Sequence, residues 1–115
     1  MTENEFRKMS LSLPETTEQA HMQHPDFRVC GKIFASLGYP EKGWGMVALT
    51  PKQQALFVDA EPQAFVPAAG AWGKKGATTV HLRSVSRQSL RKALEAAWVS
   101  KAPKRLVLRI QGQVR

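Results

Sequence analysis

Apolar positions recur along the chain with two different periods, and the switches between them mark out the elements. Phe6, Met9 and Leu13 fall at i, i+3 and i+7, the spacing of one helix face. Thr2 with Glu5 three residues on is a capping-box pattern, and Pro14 blocks continuation. These predict a helix over residues 3–13. From Glu15 to Leu49 the helical period disappears. Residues 16–23 are polar and read as an edge strand. Phe27-Arg28-Val29 and the run 32–37 flank Cys30-Gly31, a dipeptide suited to a two-residue hairpin turn. That register sets Phe27 opposite Phe34 and sends both rings, with Val29, to the core. Residues 38–43 are a loop by composition, and 45–49 a further strand.

In the second half, Thr50-Pro51-Lys52-Gln53 combines an N-cap, a proline at the first helical position and a glutamine at N3, which predicts about two turns of helix. Residues 61–65 read as one short turn. Residues 66–77 are glycine-rich and carry Trp72, Lys74 and Lys75; they read as a loop long enough to point to function. Residues 78–83 alternate, which predicts Val80 and Leu82 on the core side and Thr79, His81 and Arg83 away from it. Ser86 then caps a helix whose apolar stripe is Leu90, Ala93, Leu94, Ala97 and Trp98, with Val85 placed to staple onto Leu90. Pro103 closes it. Helices flanking a run of hairpin-connected strands predict an α+β fold with an antiparallel sheet, one face covered by helices and the other free to meet solvent.

Composition adds limits. At 115 residues and 43% apolar, the chain fits one domain with a real core. Cys30 is the sole cysteine, which excludes an intrachain disulfide and any zinc site built on several thiolates. No apolar stretch reaches membrane-spanning length, and the N-terminus, with Glu3 and Glu5, lacks the look of a secretory signal. The expectation is a cytoplasmic protein.

Charge changes the picture most. Residues 1–73 hold six basic and eight acidic side chains, a net of −2; residues 74–115 hold eleven basic ones and only Glu95, a net of +10. So lopsided a distribution points to a polyanionic partner, nucleic acid first. The candidate phosphate-binding residues are Lys74, Lys75, Arg83, Arg87, Arg91, Lys104 and Arg105, with Lys101 between the last groups. Trp72, beside the lysine pair, reads as packing its loop onto the core, with stacking on a base as the alternative. Nothing in this set resembles base-edge readout.

Other chemistries find little support. His21-x-x-His24-x-Asp26 holds metal-ligand types, but on one extended strand the two histidines point to opposite faces, so no metal and no cofactor are expected. Cys30 has no base partner. The run Gly70 to Gly76 lacks the spacing and the Ser or Thr of a P-loop. Acids are few and scattered, so no catalytic residues are assigned and an enzyme is not expected.

Four stretches in register, Phe27-Arg-Val-Cys-Gly-Lys-Ile-Phe-Ala-Ser-Leu37, Leu49-Thr-Pro-Lys-Gln-Gln-Ala55, Trp72-Gly-Lys-Lys-Gly76 with Thr78-Thr-Val-His-Leu82, and Ala96-Ala-Trp-Val-Ser-Lys-Ala-Pro-Lys-Arg-Leu106, closely resemble the MmcQ/YjbR family. The resemblance runs from about residue 10 to 106. It implies a two-layer α+β sandwich, a sheet of about five antiparallel strands with helices mainly on one face, and a DNA-binding role through a double-wing-like arrangement. His24-Pro-Asp26 departs from the glycine-containing turn expected there, and the resemblance stops at Leu106. The expected organisation is a single domain over 1–106 and a basic tail over 107–115. The expected function is non-enzymatic binding of nucleic acid, duplex DNA first, through phosphates and with low sequence specificity. The alternative is an interaction module of secretion-chaperone-like architecture that takes an acidic protein.

Overall fold

A computed structural model of the chain describes residues 1–21 and 23–113. Its elements are α1 (Glu3–Leu11), β1 (Thr16–His21), β2 (His24–Val29), β3 (Lys32–Leu37), β4 (Trp44–Ala48), α2 (Pro51–Ala60), β5 (Phe65–Pro67), α3 (Gly70–Lys74), β6 (Ala77–His81), α4 (Arg87–Lys101) and α5 (Lys104–Gln113). The strands form one antiparallel sheet in the order β1-β2-β3-β4-β6-β5, one more strand than the family resemblance implies.

Local chemistry sets the helix ends. Thr2 and Glu5 close a reciprocal capping box at α1, Thr50 and Gln53 another at α2, and the Ser86 hydroxyl accepts from the Ser89 amide at α4. Each box satisfies two backbone N–H groups that have no partner inside the helix. At the β2–β3 hairpin, Cys30 and Gly31 both take positive φ, 49° and 81°, as a primed turn requires.

The register of that hairpin differs from the expected one. Phe27 pairs with Ala35, not Phe34, because a bulge lies where Phe27 gives way to Arg28. The extra residue lets consecutive Phe34 and Ala35 both bury, while Ile33 turns to the other face. Phe27, Val29 and Phe34 still reach the core, all fully buried.

Helices α1, α2 and α4 cover one face. α4 crosses β3 and β4, burying Leu90, Ala93, Leu94, Ala97 and Trp98, and the Trp98 indole donates to the Pro14 carbonyl at 2.9 Å. α1 lies against α4 and β1, and α2 against β5 and β6. Val80 and Leu82 face this layer as the alternation predicts, and Arg83 is exposed. Thr79 also faces away as the alternation predicts, and it is buried on that opposite face, where its hydroxyl donates to the Val66 carbonyl of β5.

Two expectations need correction. Residues 66–77 are not a structureless loop; they contain the end of β5 and all of α3. Residues 104–113, which include most of the stretch read as a basic tail and given no secondary structure, form a helix. Leu106 is buried, and Arg109 reaches Glu15 at 2.9 Å. Residues 114 and 115, the end of the expected tail, lie outside the described residues.

Candidate nucleic-acid interface

Adjacent residues across antiparallel strands share a face. The pairings Asp26–Ser36, Ser36–Met46 and Met46–Thr79 therefore draw a line across β2, β3, β4 and β6, on the side away from α4. Ile33, delivered by the bulge, and Ala48 extend the apolar part of this floor.

Three walls rise from it. His21 and His24 face each other as a pair at the closed end of the β1–β2 hairpin. The chain reverses between them, so they share a face instead of opposing one another. The single-strand geometry expected from sequence is wrong at this point. Tyr39 comes from the loop between β3 and β4. Trp72 comes from α3, its ring centroid 6.1 Å from that of Tyr39 and tilted by 60°. Together these residues enclose a groove of about 450 Å³. A second hollow of about 340 Å³ shares His21, Ile33, Met46 and Trp72, and adds Lys75 and Lys101 to its lining.

Trp72 therefore does not pack its segment onto the core: it is 58% exposed. Its position depends on how α3 is seated. The Ala68 amide donates to the Ala77 carbonyl at 2.9 Å. The Gln54 side-chain amide, reaching from α2, donates to the Gly73 carbonyl at 2.9 Å and to that of Ala77 at 3.0 Å. Gly73 presses on the Ala68 backbone so closely that a Cβ would collide with its carbonyl. Glycine is needed there for close approach.

Asp26 is the buried acid of the floor, 1% exposed. Arg28, two residues on and on the same face, donates to it from Nε at 2.8 Å and from Nη2 at 3.2 Å. The hydrogen-bonded carboxylate raises the pKa of Arg28, against a smaller opposing effect of burial. The charge of Asp26 is thus matched within the protein, whereas Lys75 and Lys101, on the second hollow, take part in none of the ion pairs found among the described residues. Among the described residues, no three His, Cys, Asp or Glu side chains are placed to share a metal ion.

The seven candidate cations fall in separate places. Lys75 and Lys101 line the second hollow, and Lys74 precedes Lys75 at the end of α3. Lys104 and Arg105 open α5, just past Lys101, and are exposed. Arg83 lies at the other end of β6, beside Trp44, His81 and the N-terminal residues. Arg87 and Arg91 sit on α4 in the helical layer. Arg87 pairs with Glu5 at 2.8 Å, and Arg91 lines a cleft with Met9 and Leu13. The second hollow brings Lys75 and Lys101 together, with Lys74, Lys104 and Arg105 near them along the chain; Arg83, Arg87 and Arg91 line other clefts or sit on the helical layer. Sequence reasoning missed His21, His24 and Tyr39 as groove walls. The signal available was a polar strand ending just before His24-Pro25, where a reversal unites the histidines.

The YjbR family model matches residues 11–100, most of the chain. The chain belongs to the YjbR family. A solved structure with the same architecture is that of Deinococcus radiodurans protein DR2400, with the family-model domain DUF419. It superposes with a TM-score of 0.71 at 20% identity, covering 86% of this chain and 77% of that one. At that identity the likeness concerns the fold. No curated protein matches the sequence. YjbR membership accounts for the order of elements from the end of α1 to the end of α4, and it leaves the ligand to be argued from the side chains.

Proposed function

We propose that this protein binds nucleic acid, duplex DNA first, through backbone phosphates with low sequence specificity and without catalysis. The observation that carries the reading is uncompensated positive charge. Among the described residues, the ion pairs are Arg7–Glu18, Arg28–Asp26, Arg87–Glu5 and Arg109–Glu15. Lys74, Lys75, Arg83, Arg91, Lys104 and Arg105 are exposed and form none of them. Cations held near a surface without protein partners are free to displace counterions from a phosphate backbone. The cluster around Lys74 and Lys75 would make the main contacts.

Titration of the full chain against duplex DNA, RNA and an acidic protein at two salt concentrations tests the reading. DNA affinity should fall with salt at a log–log slope of about −0.9 per phosphate neutralised. Binding no stronger than that of a charge-matched basic control protein at low salt would overturn it. Retained binding to the acidic protein would then favour an interaction module, for which the exposed Leu56, Val99 and Leu108 offer apolar contact.

A further inference from the structure

We infer that the groove on the open sheet face holds a single unpaired nucleotide, its base stacked on Trp72 and its phosphate at Lys75 and Lys101. The inference rests on the nucleic-acid reading and makes it specific. Three features of the groove lead to this class of ligand.

The first is the aromatic wall. Trp72 leaves more than half its surface open, while Tyr39 braces it at 6.1 Å in a tilted contact. A braced, exposed indole is a stacking platform, and every base offers it a π-face. The second is the floor, where Ile33 and Met46 are only half-buried and would be covered by a flat ring. The hollow of about 450 Å³ lies within the span of roughly 300–1,000 Å³ usual for small-ligand sites.

The third feature is the arrangement of charge. Lys75 and Lys101 both line the adjoining hollow of about 340 Å³, which shares Trp72, His21, Ile33 and Met46 with the first. The acid Asp26 lines the first hollow and not the second, and it is matched by Arg28. An occupant with an apolar planar body and one anionic end fits that polarity. The Ser36 hydroxyl and the ring nitrogens of His21 and His24 supply polar partners for the edge of a base. A paired base keeps its faces buried in the duplex stack, so the groove selects unpaired nucleotides. These come either from a single strand or from free mononucleotide.

The experiment compares a fluorescent single-stranded 12-mer, the matching duplex, AMP and ribose 5-phosphate, all with the full chain at low salt. Single-strand affinity should drop about 5- to 150-fold in Trp72→Ala, the effect of losing one stacked base, and recover largely in Trp72→Phe. Duplex affinity should stay within about twofold. Binding should quench tryptophan fluorescence, and the quench should vanish in Trp72→Phe. AMP binding that survives without ribose 5-phosphate binding identifies free nucleotide as an occupant; response to the 12-mer alone identifies the strand. Lys75→Ala with Lys101→Ala should weaken both arms.

If Trp72→Ala leaves single-strand affinity unchanged, or weakens strand and duplex equally, the groove assignment is overturned while the nucleic-acid function stands. If no oligonucleotide binds but AMP does, the function as proposed falls and the groove remains a nucleotide site. If neither binds, both fall.

Discussion

Phe6 shows how much a single side chain can hold in so small a core. It is fully buried, its ring lies 6.0 Å from that of Phe27, and it sits over Gly45 closely enough that a Cβ there would approach the ring at 2.7 Å. Phe6→Ala should therefore lower stability by about 3–5 kcal/mol, read from the shift in denaturant midpoint. Ser10, one turn further along α1, is the opposite case. Its hydroxyl is buried with no hydrogen-bond partner among the described residues. An unsatisfied buried hydroxyl is a penalty carried by the native state, so Ser10→Ala should stabilise, by up to about 1 kcal/mol in the same measurement. Residue patterns spoke clearly where the chemistry is local. Cys30-Gly31 announced its turn because Gly31 takes positive φ without steric cost. Phe34 was read correctly as core, but its partner was not, because a one-residue bulge is decided by packing and leaves no local mark.

Among the elements, α3 is held least by its own sequence and most by its neighbours. It is five residues long with no side-chain cap, too short to persist alone. Gln54 and the contact between Gly73 and Ala68 hold it in place. Gln54→Ala should cost about 1–2 kcal/mol for the two lost hydrogen bonds and speed amide exchange at residues 70–76 more than elsewhere. Gly73→Ala should cost about 1–3 kcal/mol through overpacking and shift the Trp72 emission as α3 is pushed away. At α1 the expectation concerns pH. Glu5 has its pKa lowered below 4.5, chiefly by the Thr2 backbone N–H, then by the Thr2 hydroxyl, with Arg87 and the N-terminal ammonium adding to it. The unfolded chain then takes up this proton first as pH falls. The contribution of Glu5 is therefore fully present above pH 4.5 and is lost as the pH drops through the folded value. Melting wild type and Glu5→Gln in parallel should show a gap at pH 7 that closes in acid.

On the scale of the whole molecule, the +10 charge of residues 74–115 is spread over both layers of the sandwich. Seven phosphate contacts at once are therefore beyond a single docked face. The double variant Lys74→Ala, Lys75→Ala should flatten the salt slope by up to about 2 and weaken all sequences alike. Arg87→Ala with Arg91→Ala, on the far layer and with Arg87 already tied to Glu5, should change the slope by less. Salt titrations of the two variants on one duplex compare them directly. An equal effect of both pairs would mean that the helical layer takes part in the contact.

The sequence by itself determined what depends on neighbours along the chain. The capping residues at Thr2, Thr50 and Ser86, the apolar stripe of α4, the Cys30-Gly31 turn and the family-like order of the elements were all legible, because a few consecutive residues settle each one. Tertiary structure decided the rest. Residues 66–67 became part of an edge strand because β6 offered an open edge for them to pair with, and residues 104–113 became a helix because Leu106 found the core. His21 and His24 came to share a face only when β1 folded back on β2. The groove and its adjoining hollow join residues from β1 to α4, more than seventy positions apart in the chain, and no local pattern can encode a surface that exists only after the sheet has formed.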